Sequence, residues 1–291
     1  MHGLAVVDKE AGWTSHDVVA KARGIVGQKK VGHSGTLDPD ATGVLLLGFG
    51  KATRLLTYLT ALPKSYVGEV VLGTETDTLD AAGQITAAHD MRAVTLEQAR
   101  AAATAFVGDI EQVPPMVSAV KIGGKRLHEL ARAGETVERP PRPVTVHRLR
   151  LDEASPATAD EAMVLRIEVD CSSGTYIRTL ADDLGHALGG GAHLRNLRRT
   201  AIGSFGLDVA HPLEELEILA PAEALRDYPA CTVADEVAAR IANGAVLTRA
   251  ELGVADDAGD GPWAVLSDTG DLLAVYEARD SDRVKPAVVL A

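Results

Sequence analysis

The sequence predicts an α+β fold built on a mixed, largely antiparallel sheet, with a small β-rich unit at its C-terminal end. Three observations lead there. Helical and strand-like segments interleave irregularly, with no repeated βα unit of the kind that builds a doubly wound parallel sheet. The chain has 291 residues, 46% of them hydrophobic, enough for a substantial core. Its last 65 or so residues carry short alternating runs around turn-forming residues.

Residues 3–8 read as a short strand. Thr14 and Ser15 precede Val18, Val19, Ala22 and Ile25, a helical spacing that stops at Gly27. Residues 31–43 are dense in Gly, Ser, Thr, Asp and Pro and are predicted to be a loop. Residues 66–72 alternate and are β-branched, predicting a strand. Thr95 with Gln98 forms a capping-box pattern ahead of Leu96, Ala99, Ala103 and Phe106, with Gly108 as the stop. Residues 126–133 are expected to form a short basic helix between two Pro-Pro pairs. Strands are expected at 144–151 and 163–169. The spacing of Ile177, Leu180, Ala181, Leu184 and Leu188 predicts a helix closed by three glycines. Residues 208–226, acidic and punctuated by proline, read as a helical bridge. A short helix at 236–243 follows, then a hairpin of 263–266 with 272–276 around Asp268-Thr269-Gly270-Asp271. The expected organisation is residues 1–225 as one domain, with a basic insertion at 121–150, and residues 226–291 as a second.

The formal net charge is −12, which taken whole argues against a nucleic-acid partner. Divided along the chain it says something else. Residues 201–291 hold 17 Asp or Glu against 6 Lys or Arg, whereas residues 121–150 hold 8 basic against 3 acidic side chains. Charge is screened over roughly 8 Å in physiological salt, so a remote acidic surface does not cancel a local basic one. The two cysteines, Cys171 and Cys231, are sixty positions apart with no CxxC, which excludes a disulfide scaffold or cysteine-rich zinc site and fits a reducing cytosol. The apolar stretch at 41–50 is half a membrane span, and the first residues lack the pattern of a secretory signal. A soluble cytoplasmic protein is expected.

The segment richest in chemistry is Gly32-His33-Ser34-Gly35-Thr36-Leu37-Asp38-Pro39-Asp40-Ala41-Thr42-Gly43. Its glycines permit tight or left-handed backbone and Pro39 stiffens the step after Asp38, so the loop can hold one carboxylate in a fixed direction. An isolated Asp-Pro is more often a plain turn. A glycosidase-like pair of Asp38 with Asp40 is disfavoured, because side chains two apart around a proline diverge.

This string resembles the catalytic loop of bacterial tRNA pseudouridine synthases of the TruB type, and further pieces agree in order. They are Val7-Asp8-Lys9-Glu10-Ala11-Gly12-Trp13-Thr14-Ser15, Lys64-Ser65-Tyr66, Thr76-Asp77-Thr78-Leu79-Asp80-Ala81-Ala82-Gly83 and Pro114-Pro115-Met116-Val117-Ser118-Ala119-Val120-Lys121. Then come Ser173-Gly174-Thr175-Tyr176-Ile177-Arg178 and Gly191-Ala192-His193-Leu194-Arg195-Asn196-Leu197-Arg198-Arg199-Thr200. The resemblance spans residues 3–210, and the acidic tail is similar to the PUA-like domain that often ends these enzymes.

The resemblance implies isomerisation of uridine 55 in the T arm of tRNA to pseudouridine, without metal or organic cofactor. It implies that Asp38 is the nucleophile, acting at C1′ or by way of a glycal, and that Arg178 pairs with it. Tyr66 would stack on the flipped base and accept a proton, with Tyr176 as second aromatic. His33 would fill the space the base leaves, and Leu197 would wall the uracil pocket. Arg198 and Arg199 would face phosphates, a solvated helix end being the alternative. Lys121, Lys125 and Arg126, with Arg132, would belong to a basic thumb that clamps RNA. Asp77 and Asp80 fit a turn or cap role as well as a functional one. The chain departs from the family pattern at Glu10, where proline is usual, and at Val117 and His128, where aromatics are expected. The alternatives are an RNA-binding folding factor with secondary catalysis and an RNA-guided synthase subunit. The intact Asp38, Tyr66, Tyr176 and Arg178 set speaks against lost catalysis, the full basic segment and short acidic tail favour a stand-alone enzyme without an obligatory protein partner, and the resemblance implies a monomer.

Overall fold

The computed structural model describes residues 1–118, 121, 122, 124–127, 137–255 and 257–290. Its frame is a nine-stranded sheet. In chain order the strands are β1 (Gly3–Lys9), β2 (Val31–Ser34), β3 (Thr42–Phe49), β4 (Lys64–Leu72), β5 (Thr74–Thr76), β6 (Ile85–Ala88), β7 (Gly108–Gln112), β8 (Lys121–Ile122), β9 (Lys125–Arg126), β10 (Arg142–Ser155), β11 (Val164–Cys171), β12 (Ala192–Ile202) and β13 (Phe205–Gly206). The order across the sheet is β1-β3-β12-β4-β11-β10-β7, with β2 added on β3 and β13 on β12. Every pairing is antiparallel except β3 with β12, which touch only at Arg198↔Thr42 and Arg199↔Gly43. The two halves of the sheet are thus joined by a short parallel contact, and the loop between β2 and β3 lies beside it. Two small ribbons, β5 with β6 and β8 with β9, stand apart from the sheet.

The sequence patterns explain most elements. Helix α1 (Ser15–Val26) starts at a Thr14 capping box with Asp17 and ends at Gly27 in the left-handed region. After the short α2 (Leu56–Ala61), α3 (Leu96–Ala103) starts at the predicted Thr95–Gln98 box. Helix α4 (Ile177–Ala187) buries Ile177, Leu180, Ala181 and Leu184 against the inner residues of β4, β11 and β12. Strand β3 shows in the sequence only as an apolar run, because it is covered on both faces. Val44 and Leu46 join one core cluster and Leu45, Leu47 and Phe49 another, so the strand shows no alternation. Burying each of these leucines contributes roughly 1.5–3 kcal/mol.

Other expectations need correcting. Residues 31–34 are a strand rather than part of the loop, tolerated at the sheet edge because Gly32 lets Leu56 approach closely. The bridge at 207–225 is not an α-helix but three short 3₁₀ turns separated by Pro212 and Pro221. Arg126 lies in the β8–β9 hairpin with Lys125, opposite Lys121, rather than on a helix. Leu127 is buried, and residues 128–133 of the expected basic helix, including His128 and Arg132, lie outside the described residues.

The C-terminal unit is a five-stranded sheet of β14 (Ala230–Thr232), β15 (Leu247–Thr248), β16 (Trp263–Leu266), β17 (Leu272–Ala278) and β18 (Arg283–Val289), ordered β14-β16-β17-β18-β15. Helices α5 (Asp235–Ala242) and α6 (Arg249–Leu252) belong to this unit, whose core holds Trp263, Tyr276, Ile241 and Leu252. Ala264, Leu272, Val275, Val288 and Leu290 pack against Leu55, Tyr58 and Leu59 of the first unit. Lys51 and Arg54 donate to the carbonyls of Leu290 (2.7 Å) and Val289 (2.6 Å) across this seam. Among the described residues no helix is long and apolar enough to cross a membrane.

Candidate active site

The loop between β2 and β3 is pinned on both sides of Asp38. On one side Ser15 accepts from the Leu37 N–H (2.9 Å) and donates to its carbonyl (3.1 Å). On the other, the Pro39 carbonyl accepts from the Gly12 N–H (2.9 Å) and from the Lys9 ammonium (2.9 Å). Lys9 also donates to the carbonyls of Glu10 (2.8 Å) and Trp13 (2.6 Å) and is 1% exposed. Burial lowers its pKa to about 8, opposed by Asp40 and Asp38. The turn at Glu10 is held by the Lys9 ammonium and the Gly12–Pro39 backbone bond, so the Glu10 side chain is not needed for its shape. Gly43 closes the loop at φ +100°, where an added Cβ would lie 2.1 Å from the Arg199 carbonyl oxygen.

The carboxylate of Asp38 meets Arg178 in the first turn of α4. The guanidinium holds it at two points, Nε to Oδ2 at 3.1 Å and Nη2 to Oδ1 at 3.4 Å. The Arg178 side chain is 5% exposed and its other donors are also used. They reach Asp80 Oδ2 (3.1 Å), the Thr78 carbonyl (3.1 Å) and the Val117 carbonyl (2.8 Å). Burial raises the Asp38 pKa above the usual carboxylate value, and Arg178 opposes that shift.

Asp80 therefore does more than cap a turn. It sits on the β5–β6 connection, where Leu79 has φ +62° and accepts from the Leu194 N–H of β12 (3.0 Å), while the Ala81 N–H donates to the Leu194 carbonyl (3.0 Å). Its second oxygen accepts from Thr78 Oγ1 (2.6 Å) and the Ala82 N–H (3.1 Å). The link to Arg178 is long-range and left no local signature. Asp77, by contrast, accepts from the Gln84 N–H (2.8 Å), a turn role. Val117 contributes its carbonyl, which any residue would supply.

Beside the ion pair opens a cavity of about 260 Å³. Asp38, Tyr66, Tyr176, Arg178, Leu197 and Arg199 all line it, together with Lys64, which the sequence did not single out. Tyr66 comes from β4, and burial pushes its hydroxyl pKa up while Arg199 opposes. Tyr176 precedes α4, its N–H and carbonyl both bonded to the Gln112 side chain (3.0 and 3.3 Å). A second cavity of about 460 Å³ lies on the other side of Asp38 and Arg178, reaching Asp80, Asn196 and Leu197.

The remaining candidates fall elsewhere. His33, on β2, is not among the residues lining the first cavity. Its ring centroid is 5.3 Å from that of His16, its Nδ1 is buried without a hydrogen-bond partner, and burial lowers its pKa to about 4. Arg198 and Arg199 lie on a strand rather than a helix end. Arg198 pairs with Asp8 (2.6 Å) and donates to Thr42 Oγ1 (3.2 Å). Arg199 is 1% exposed and donates to the carbonyls of Val44 (2.7 Å) and Gly35 (3.2 Å). Lys121, Lys125 and Arg126 are placed by their backbone on the β8–β9 hairpin, which follows Ser118 of the cavity wall.

Two family models match in tandem. Residues 23–177 match the N-terminal domain of TruB family pseudouridylate synthases, and residues 178–228 match the C-terminal domain of tRNA pseudouridylate synthase B. The tRNA pseudouridine synthase B of Arthrobacter sp. (strain FB24) is 45% identical, covering 100% of this chain and 97% of that protein. That of Streptomyces griseus subsp. griseus is 44% identical over 99% and 97%. Among solved structures, a chain from a Cbf5–Nop10–Gar1 complex aligns with a TM-score of 0.72 at 25% identity, covering 98% of this chain and 83% of that one. A chain from an H/ACA RNP bound to a substrate RNA containing 2′-deoxyuridine shares the fold, with a TM-score of 0.73 at 23% identity over 99% and 85%. Matches that run the length of the chain, on a fold with an arginine-held aspartate beside a base-sized cavity, make this chain a member of the TruB family of pseudouridylate synthases.

Proposed function

We propose that this protein isomerises uridine to pseudouridine in tRNA, acting at position 55 of the T arm on a base flipped out of the loop. The observation that carries the reading is the Asp38 carboxylate, held by Arg178 at two points on the edge of a 260 Å³ cavity walled by Tyr66 and Leu197. A carboxylate so placed can meet positive charge at the sugar C1′ or bond to it, which is what cleaving an N-glycosidic bond requires. The guanidinium favours the ionised form against the cost of burial. Tyr66 and Tyr176 offer faces for the base, with Tyr66 also the proton acceptor, and Leu197 offers an apolar wall. Extruding a nucleotide costs a few kcal/mol, and His33, kept neutral by its low pKa, is an apt filler for the vacated space.

Lys121, Lys125 and Arg126 carry a hairpin to one side of the cavity, and with the basic insertion at 121–150 they form the RNA clamp. Arg198 steadies the loop through Asp8 and Thr42. Residues 1–225 act as the catalytic domain and residues 226–291 as a terminal module. The enzyme works as a cytoplasmic monomer, with neither guide RNA nor cofactor. The names borne by the relatives, tRNA pseudouridine synthase B, support the substrate.

The test is tritium release from a T stem-loop labelled at uracil C5. Wild-type protein should turn over without guide or cofactor, and Asp38→Asn should bind the RNA without releasing tritium. Turnover that requires an added guide RNA would favour the guided-subunit reading instead.

A further inference from the structure

Two buried cations border the Asp38 cavity with no carboxylate to balance them. Arg199 is 1% exposed and Lys64 5%. Among the described residues neither has an acidic side chain within ion-pair distance. Both are held by backbone carbonyls, and Arg199 also meets the Tyr66 hydroxyl. Arg199 uses Nε on Val44 and Nη2 on Gly35. Lys64 donates to Thr60 and to Leu62 (2.7 Å), which fixes the ammonium at the end of α2. That leaves one of three ammonium protons and several guanidinium protons without a carbonyl acceptor. Buried charges are ordinarily paired, because desolvating an isolated one costs several kcal/mol. Burial chiefly lowers the pKa of Lys64, Lys9 and His33, and the Arg199 charge adds to the shift in all three.

A site that keeps two uncompensated cations beside a base-sized cavity is organised for negative charge that appears only during the reaction. The phosphodiester backbone is not the source, since groups 1% and 5% exposed lie beneath the cavity and not on the outer surface. We propose that Lys64 and Arg199 hold the uracil ring as an anion after its glycosidic bond has broken, an inference that rests on the pseudouridine synthase reading. In that step the C1′–N1 bond breaks and its electron pair leaves with the uracil, spread over N1, O2 and O4, while Asp38 meets the electron-poor C1′. After the ring turns, C5 supplies the pair for the new C5–C1′ bond, the proton on C5 passes to a base, and N1 takes one up. The product is an isomer, and no other reactant is consumed.

The groups facing Lys64 are Arg199 from β12, the Cys171 thiol from β11 and Tyr66 on its own strand. Cys171 has its pKa pushed up to about 11 by burial and stays neutral where Lys64, at about 8, titrates. The test uses the full-length protein and the C5-tritiated T stem-loop, with kcat, kcat/KM from pH 6 to 9.5, RNA Kd and Tm for wild type, Lys64→Met and Lys64→Arg. Removing one such charge should lower kcat by roughly 10²–10³-fold. Lys64→Met should show that loss with an RNA Kd within threefold of wild type. Lys64→Arg, whose guanidinium stays charged, should keep turnover and move the high-pH limb of kcat/KM upward. A Lys64→Met enzyme with wild-type kcat, or one impaired only in Kd or Tm, overturns the proposal. Should Lys64→Met not fold, a Lys64→Arg profile superimposable on wild type overturns it equally. A wild type that releases no tritium removes the synthase reading and this inference with it.

Discussion

Replacing Arg178 by methionine removes the group that opposes the burial of Asp38, and the consequence can be worked from the contact. At 3.1 Å and an effective dielectric near 20, the attraction between the charges is about 5 kcal/mol. The Asp38 side chain is 40% exposed, so solvent screens roughly half of that, leaving ~2–3 kcal/mol. The sign follows from the folded-state shift. Burial already raises the Asp38 pKa and Arg178 lowers it, so losing Arg178 raises it further. The active form is the carboxylate, present above its pKa and lost as pH falls through it. The acid limb of kcat/KM should therefore move to higher pH in Arg178→Met. Activity at pH 6 should fall by more than activity at pH 9. The assay is tritium release from the labelled T stem-loop between pH 4.5 and 9, with circular dichroism to confirm folding. An acid limb within half a unit of wild type would show that Arg178 does not set the ionisation of Asp38.

Other consequences are as direct. Gly43→Ala forces a Cβ onto the Arg199 carbonyl at φ +100° and should cost about 2–4 kcal/mol in urea unfolding, with loss of turnover. Thr14→Ala removes the α1 capping box and should cost about 1 kcal/mol with little effect on kcat. His33 is held neutral with a pKa of about 4 against 6.5 unfolded, so its contribution to stability is full above pH 6.5 and is lost as pH falls toward 4. Its ring resonances should not titrate between pH 5.5 and 8 in an NMR titration. The Cys171 and Cys231 thiols, both pushed up to about 11 by burial, should resist iodoacetamide at pH 7.5 until the chain is unfolded.

Elements with local signatures were legible in the sequence. Thr14, Thr95 and Gly27 mark helix ends by capping chemistry, and Gly270, at φ +85°, marks the hairpin turn between β16 and β17. The Asp38 loop and its partner Arg178 were legible only because a long motif resembles a family. What escaped was set by tertiary context. Strand β3 is buried on both faces and carries no alternation. Lys9 and Lys64 act through carbonyls brought together by folding, which no spacing announces. Strand β12 carries one residue more than β4 between Arg195↔Glu69 and Arg198↔Val67, which no sequence pattern announces. Such a bulge reverses which side chains point inward, here burying Arg199 and leaving Arg198 to Asp8.

The central claim is that Asp38, held by Arg178, converts one uridine of the T arm. The most direct measurement is nucleotide-resolution mapping of pseudouridine in an unmodified full-length tRNA after incubation with the protein alone. One pseudouridine at position 55 with wild type, and none with an Asp38→Asn protein that still binds the tRNA, is the predicted result. Pseudouridine at position 55 made equally well by Asp38→Asn, or made by wild type only at other uridines, would contradict it.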